Sequence, residues 1–334
     1  MPADSLGRPL RDLRISVTDR CNFRCRYCMP REVFGRNYEF LPRDDLLTFE
    51  EITRLVGIAS EFGVHKVRLT GGEPLLRDDL RDLVAFLAAV PGIEELTMTS
   101  NGSLLGRHAA DLAAAGLDRV TVSIDTLDET THTAISDSPV PLSVVLEGID
   151  AAGAAGLTPV KLNMVVKRGA NDGDIITVAR HFKGTGNVIR FIEYMDVGRS
   201  NGWRLDHMVP AAEIVEKIAA EMPLQRVEPA YRGEVARRFR YTDGEGEIGV
   251  VASVTLPFCG DCTRARLSAD GALYTCLFAT SGHDLRALLR DGTDDTGIGQ
   301  MIRNVWEQRD DRYSEIRSAA TADLPRVEMS YIGG

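Results

Sequence analysis

Cys21, Cys25 and Cys28 fall in the run Cys21-Asn22-Phe23-Arg24-Cys25-Arg26-Tyr27-Cys28, directly after a β-type segment. Three thiolates at CxxxCxxC spacing can hold three irons of a four-iron, four-sulfur cluster. The fourth iron then has no protein ligand and is open to a small molecule. A cluster that only carries electrons is normally closed by four thiolates, so the spacing points to chemistry at the cluster. The alternative is a three-cysteine zinc site with a distant histidine, although zinc favours CxxC pairs completed to four ligands. Tyr27, between the second and third cysteines, can cover the cluster's outer face.

The other three of the six cysteines form a second group, Cys259, Cys262 and Cys276. Here too there is no spare cysteine. Either His283 closes a zinc site, or this is a second cluster with another open iron. Arg264-Ala265-Arg266 follows Cys262 at once. In an extended segment both guanidiniums point the same way, and their forks suit phosphate oxygens. Between the two cysteine groups, Gly71-Gly72-Glu73-Pro74 follows a β-type run. Glycines there let backbone approach a ligand closely.

The elements that must hold these groups alternate along the chain. β-type runs cover Leu13–Thr18, Lys66–Thr70, Leu96–Asn101, Val120–Asp125, Val160–Val166 and Val188–Tyr194. Helical stretches lie between them, at Thr48–Phe62, Asp78–Val90, Gly106–Ala115, Leu142–Ala155 and Asp172–Phe182. Such alternation implies right-handed βαβ units and a parallel sheet. Within the runs, polar residues recur at every second position (Arg14, Ser16, Thr18; Lys66, Arg68, Thr70; Thr97, Thr99, Asn101; Thr121, Ser123, Asp125; Lys161, Asn163). The alternate positions are apolar and suit the crossover helices, so the polar row faces a lumen. Six strands are too few for a closed eight-stranded barrel. The expected fold is α/β: a partial, open (β/α)6 barrel with a polar, cationic interior and a smaller C-terminal domain carrying the second cluster, divided at 1–222 and 223–334. Pro223 and Pro229 are expected to flank a connector, Val235–Thr242 and Ile248–Val254 to be β-type, and Asp291–Gly299 to be an acidic, glycine-rich loop.

The chain has 334 residues and a net charge of −10, which argues against a nucleic-acid partner. No apolar stretch is long enough to span a bilayer, and Met1–Leu13 lacks the apolar core of a signal peptide. The expected location is the cytoplasm, where thiols stay reduced. Arg14, Lys66, Arg68 and Lys161 would join Arg264 and Arg266 to collect about six positive charges in one cavity. Such charges are costly in a shared low-dielectric space without an anion, and a polyphosphate would offset the cost.

The cysteine loop and the GGEP turn resemble the radical S-adenosylmethionine superfamily. The resemblance implies that the amino and carboxylate groups of S-adenosylmethionine chelate the open iron. An electron from the reduced cluster then yields a 5′-deoxyadenosyl radical. It carries over Gly72 as a backbone contact to this cofactor, with Tyr27, Ser123 and Met195. Within the superfamily, almost the whole chain is similar to the branch that cyclises GTP in the first step of molybdenum-cofactor (molybdopterin) biosynthesis. The similarity rests on Lys66–Leu75, Arg190–Gly198, Phe258–Phe278 and the terminal Gly333-Gly334. It implies two [4Fe-4S] clusters, guanine docked on the second, abstraction of the ribose 3′ hydrogen, and attack of C3′ on guanine C8. Arg14, Lys66, Arg68, Thr99, Lys161, Arg190 and the Arg264-Ala265-Arg266 segment match the branch's nucleotide contacts. Arg264, Arg266, Gly333 and Gly334 would assist catalysis, the glycine tail by inserting into the site. Thr263 stands where many members have asparagine, and Asp196 where proline is frequent. The resemblance further implies reduced flavodoxin or ferredoxin as electron donor, product transfer to the next enzyme of the pathway, and a homodimer. A radical peptide-modifying enzyme with an auxiliary cluster, or a zinc-stabilised binding module, is the competing expectation.

Overall fold

The computed structural model describes residues 1–317 and 326–333. Six parallel strands, β1 (Asp12–Ser16), β2 (Lys66–Thr70), β3 (Glu95–Ser100), β4 (Arg119–Ser123), β5 (Lys161–Val166) and β6 (Val188–Glu193), lie side by side in chain order. Helices α1 (Phe49–Glu61), α2 (Leu80–Ala88), α3 (Leu105–Ala114), α4 (Glu129–Ser136), α5 (Leu142–Ala154) and α6 (Ile175–Phe182) occupy the crossovers. α1 shows why these segments fold as they do. Thr48 and Glu51 form a reciprocal capping box at its start, and Ile52, Leu55, Val56 and Ala59 bury one face at helical spacing. The apolar positions of the strands join the same core: Leu13, Ile15, Val67, Leu69, Val120, Val122, Leu162 and Met164 are all buried in it.

Among the described residues, the chain beyond β6 does not form a sheet of its own. After α7 (Ala211–Glu221) come β7 (Leu224–Val227), β8 (Arg237–Tyr241), β9 (Glu247–Val251), β10 (Arg264–Leu267), β11 (Ala272–Tyr274) and β12 (His283–Asp284), then α8 (Leu285–Arg290) and α9 (Asp295–Glu307). β9 pairs parallel with β6, and β10 pairs parallel with β1. The antiparallel strands β8, β7 and β11, β12 continue outward from these two edges, giving the order β12-β11-β10-β1-β2-β3-β4-β5-β6-β9-β8-β7. The sheet is an open α/β wall, as expected, but both its edges are extended by the last third of the chain.

Two expectations fail locally. The span between Pro223 and Pro229 contains β7, an edge strand that prolines can bound without losing a ladder hydrogen bond. The acidic, glycine-rich Asp291–Gly299 stretch is not a loop throughout. Asp294 caps α9 by accepting from the Gly297 amide, and Ile298, Ile302 and Val305 then turn inward at helical spacing. The capping carboxylate and the apolar period outweigh the low helix propensity of Gly297 and Gly299.

Leu162 on β5 is fully buried between its register partners Val122 and Ile189. Leu162→Ala should cost about 2–5 kcal/mol by opening a cavity, whereas Leu205→Ala, at a side chain 61% exposed, should stay within about 0.5 kcal/mol. Thermal unfolding of the two variants checks the difference.

Candidate active site

The polar face of the wall lines one cavity of about 500 Å³, and both cysteine triplets open onto it. All six cysteines are free. The registers stack the charged side chains in layers. In the lower layer, Arg264 lies beside Asp12, Asp12 beside Lys66, and Lys66 beside Glu95. Signs alternate there: Lys66 pairs with Glu95 at 2.8 Å, and Arg119 also pairs with Glu95. Two residues along each strand, Arg266 lies beside Arg14, and Arg14 beside Arg68. Neighbouring strands are about 4.8 Å apart, and no carboxylate stands in this second row.

Burial, followed by the neighbouring Arg266 and Arg264, pulls Arg14 well below the usual guanidinium range. Burial and then Arg264 pull Arg266 down to about 10, and burial and then Arg68 pull Arg190 down to about 9. Guanidinium does not release its proton in proteins, so these pulls express the cost of unopposed charge. The donors are also incompletely satisfied. Arg68 donates through Nη1 to Thr99 and Thr121, each at 3.2 Å, but the buried Nε atoms of Arg14 and Arg68 have no acceptor among the described residues. Thr121 accepts from Arg190 as well, at 3.4 Å, and Asn163 accepts from Arg190 Nε at 2.9 Å. Lys161 lines the same wall and is pulled down to about 7 by burial and by Arg119, Arg190, Lys66 and Arg68. The second row is built for an anion with several oxygens.

The first cysteine loop is braced from the ends of β2 and β3. Gly71 adopts φ +136, open to glycine but not to side chains. The Gly72 amide donates to Thr18 O at 2.9 Å and the Glu73 amide to Arg20 O at 2.8 Å. A Cβ on Gly72 would stand 2.2 Å from Arg20 O and 3.0 Å from the Cys21 amide. Glu73 is wholly buried; its carboxylate accepts from the Leu75 amide, Ser100 Oγ and the Asn101 amide at 3.1, 2.9 and 2.7 Å. Asn101 then donates to Asn22 at 2.8 Å and approaches Cys21 Sγ at 3.9 Å. Tyr27 donates to Asp125 at 2.7 Å, and Tyr27, Gly72, Ser123 and Met195 all line the cavity beside this loop. Burial pushes the Cys21 thiol up to about 11 and Cys25 and Cys28 higher still; thiols so placed become ligands when a metal displaces the proton.

In the second triplet, burial raises Cys262, but Arg264 and Arg309 more than offset it and hold the thiol at about 6. Arg264 donates to Cys262 Sγ at 3.4 Å, and the Phe278 amide to Cys276 Sγ at 3.5 Å. Among the described residues no His, Cys, Asp or Glu group is gathered as for a single metal ion. His283 is exposed on β12, opposite Leu273, and does not line the cavity. A four-iron cube holds its thiolates farther apart than one ion does, and two thiol triplets with amide or guanidinium donors to sulfur fit two such cubes better than two zinc ions.

Arg14, Lys66, Arg68, Thr99, Lys161, Arg190, Arg264 and Arg266 thus meet in one cavity. Two assignments change in detail. Lys66 is already paired with Glu95, so it contributes less free charge than the row above it. Ala265 alternates to the far side of β10 and is buried in the apolar core beside Leu13, so its side chain cannot touch a nucleotide. Gly333 accepts a hydrogen bond from Arg266 Nε at 3.2 Å, at φ +76; Gly334 lies outside the described residues. Asp12, Glu95, Asp125 and Asn101 were not identified as site-builders in the sequence, although Asn101 and Asp125 belong to its polar row, and Glu73 was noted only as part of the Gly71–Pro74 turn.

A family model described as the radical SAM superfamily matches residues 15–182, and one described as molybdenum cofactor synthesis C matches residues 187–315. The fold and site define a radical S-adenosylmethionine enzyme with a C-terminal region of the molybdenum-cofactor type. Its wall resembles that of Streptococcus suis SuiB bound to precursor peptide SuiA, with a TM-score of 0.63 at 17% identity over 93% of this chain and 67% of that one. A GTP 3′,8-cyclase from Acidothermus cellulolyticus is 56% identical over 99% of this chain and 98% of its own, and one from Xanthomonas axonopodis pv. citri is 49% identical over the same shares. The chain belongs to the GTP 3′,8-cyclase family.

Gly72→Ala should force the Arg20–Cys21 backbone away and weaken the first cluster alone. Iron bound per chain after anaerobic reconstitution should fall by up to about half, while Gly106→Ala, where an added Cβ meets nothing within 4 Å, should leave it unchanged.

Proposed function

We propose that this chain converts GTP to its 3′,8-cyclised nucleotide in the first step of molybdenum-cofactor biosynthesis, with the triphosphate held by Arg14, Arg68, Arg266 and Arg264 and steadied by Lys161, Arg190 and Thr99. The observation that carries this reading is the row Arg266–Arg14–Arg68, adjacent in register, with no carboxylate in it and with buried Nε donors on Arg14 and Arg68 that find no acceptor among the described residues. Cys21, Cys25 and Cys28 would hold the cluster that binds S-adenosylmethionine, and Cys259, Cys262 and Cys276 the one that receives guanine. When bound, the first cluster would supply the electron for reductive cleavage of S-adenosylmethionine, and with it the radical chemistry that joins C3′ of the ribose to C8 of guanine.

The chain's own residues bind, orient and exclude water. Tyr27, fixed by Asp125, would cover the cofactor side, with the Gly72 backbone, Ser123 and Met195 against it. Gly333, bonded to Arg266, would bring backbone to the substrate where a side chain could not fit, and Gly334 would extend this reach. A peptide substrate would leave the arginine row unexplained. On this reading residues 1–222 generate the radical and residues 223–334 grip the purine. A reduced flavodoxin or ferredoxin would supply electrons in the cytoplasm, the product would pass to the next enzyme of the pathway, and a homodimer is consistent with the family. Among the described residues no helix is long and apolar enough to cross a membrane.

Anaerobic incubation with GTP, S-adenosylmethionine and reductant, followed by mass analysis, tests the reading. Cys25→Ser should abolish 5′-deoxyadenosine formation. Cys262→Ser should retain uncoupled cofactor cleavage and lose the cyclised nucleotide. Full turnover by Cys262→Ser would remove the second triplet from the reaction. Arg266→Ala should weaken GTP binding about 10- to 100-fold, as loss of a charge-assisted contact predicts.

Lys161 gives binding a pH dependence. Its free-state value of about 7 should rise when phosphate oxygens arrive, so the complex takes up a proton. Affinity is then full below about pH 7 and falls as pH rises, by up to about tenfold per unit. Calorimetry between about pH 7.5 and 9, where the triphosphate itself is fully ionised, should show this slope in the wild type and a shallower one in Lys161→Met, where Lys66, pulled down to about 8 by burial and then by Arg68, still titrates.

A further inference from the structure

Beside the second cysteine triplet, with Arg309 and Asp311 reaching the cavity wall, lies a buried charge cluster to which the proposed reaction assigns no role. Asp4, Arg8 and Arg309 come from the two ends of the described chain and are almost sealed from solvent, with side-chain exposures of 0, 1 and 2%. Asp4 Oδ2 accepts from Arg8 Nε at 2.6 Å and from Arg309 Nη1 at 3.1 Å. Its other oxygen accepts the Leu6 and Arg8 amides at 3.0 and 2.9 Å. Each arginine then reaches one carbonyl of the cysteine loop: Arg8 Nη1 donates to Cys259 O at 2.7 Å, and Arg309 Nη1 to Cys262 O at 2.8 Å. Arg8 also donates to Asp311 O at 2.9 Å, Arg309 Nε pairs with Asp311 at 3.3 Å, and the Arg309 guanidinium stacks 4.6 Å over Trp306. The Trp306 indole in turn donates to Arg8 O at 3.0 Å.

We propose that Arg8 and Arg309, joined through Asp4, are positioning residues that clamp the Cys259–Cys262 loop and set the retention and potential of the second cluster. This rests on the reading of that triplet as a cluster site. The physical case is that a buried ion pair seldom adds net stability over apolar packing. Here one Nη1 of each arginine reaches one of the two carbonyls between which the loop turns. Cys259–Asp261 is a single short turn with no buried residue; its other ties are the solvent-exposed Arg232–Asp261 pair at 2.7 Å and the Arg264 bond to Cys262 Sγ at 3.4 Å. Hydrogen bonds and charge around cluster ligands tune cluster potential, and Arg309 places its positive end at the peptide of Cys262. Arginine's fork contacts Asp4, Asp311 and Cys262 O together; lysine keeps the charge but cannot span the three.

The test uses the full chain with clusters reconstituted anaerobically. Iron per chain, the rate of iron loss to a chelator, and the midpoint potentials of both clusters are measured in the wild type, Arg309→Gln and Arg309→Lys. Arg309→Gln should lose second-cluster iron at least several-fold faster and lower that cluster's potential, with the first-cluster signal and uncoupled S-adenosylmethionine cleavage retained. Arg309→Lys should restore the potential but not the retention. Unchanged retention and potential in Arg309→Gln overturn the clamp, as does equal loss of both clusters together with cofactor cleavage. A wild-type chain that takes up only the first cluster overturns the reading of the second triplet itself, and the clamp with it.

Discussion

Like charges placed next to one another inside a protein need a reason, and the wall around this cavity is organised by one such placement. Arg266, Arg14 and Arg68 occupy adjacent strands in register, one layer above a row in which Asp12 and Glu95 alternate with Arg264 and Lys66. The lower row neutralises itself; the upper one does not. The threonines and asparagine that share its face accept only part of what the guanidiniums offer. The apolar positions on the reverse of the same strands bear the cost, because they bury a continuous core against the helices. A rigid cationic wall can be kept when its back is well packed and an incoming anion completes its front.

The strand ends are organised by the opposite device, one fully buried acid with every oxygen used. Glu73 ties the turn after β2 to the turn after β3, and Asn101 passes this rigidity to Asn22 and Cys21. Burial pushes Glu73 up to about 7 even as the three donors pull it back. Such a bracing acid trades stability for a fixed loop, and the fixed loop is what carries the cysteines. Asp196 plays a comparable part near the C-terminus, where it accepts from Tyr313 at 2.6 Å and Arg317 at 2.9 Å.

Much of the frame was legible in the sequence because it rests on local periodicity. Five of the six core strands show clear period-two alternation, β6 less so, and the cysteine spacings announce their own loops. The alternation also put Arg14, Arg68 and Lys161 on the inner face. What could not be read were relations set by register between distant segments. Nothing local says that Lys66 meets Glu95 across β2 and β3, or that β10 joins β1 in parallel so that Arg266 stands beside Arg14. The parity that turns Ala265 away was available in the Arg-x-Arg pattern, but the family likeness carried it along with its neighbours. The α9 start was hidden by glycines whose low helix propensity the Asp294 cap overrides. Arg8 and Arg309 were beyond reach, being about three hundred residues apart in sequence.

The placement of β10 and β9 on opposite flanks of the six-strand wall has a consequence for biosynthesis. The ribosome delivers β1 to β6 and their helices first, and each of these can pack on its predecessor through short-range crossovers. The β1 edge stays bare until more than two hundred further residues have been made, because its partner is β10. Pairings of such sequence separation form slowly and leave a template for wrong partners while they wait. The nascent chain therefore spends most of its translation with an unprotected strand next to its first cysteine loop, and chaperone demand and metal loading in the cell should both be timed to the emergence of the last hundred residues.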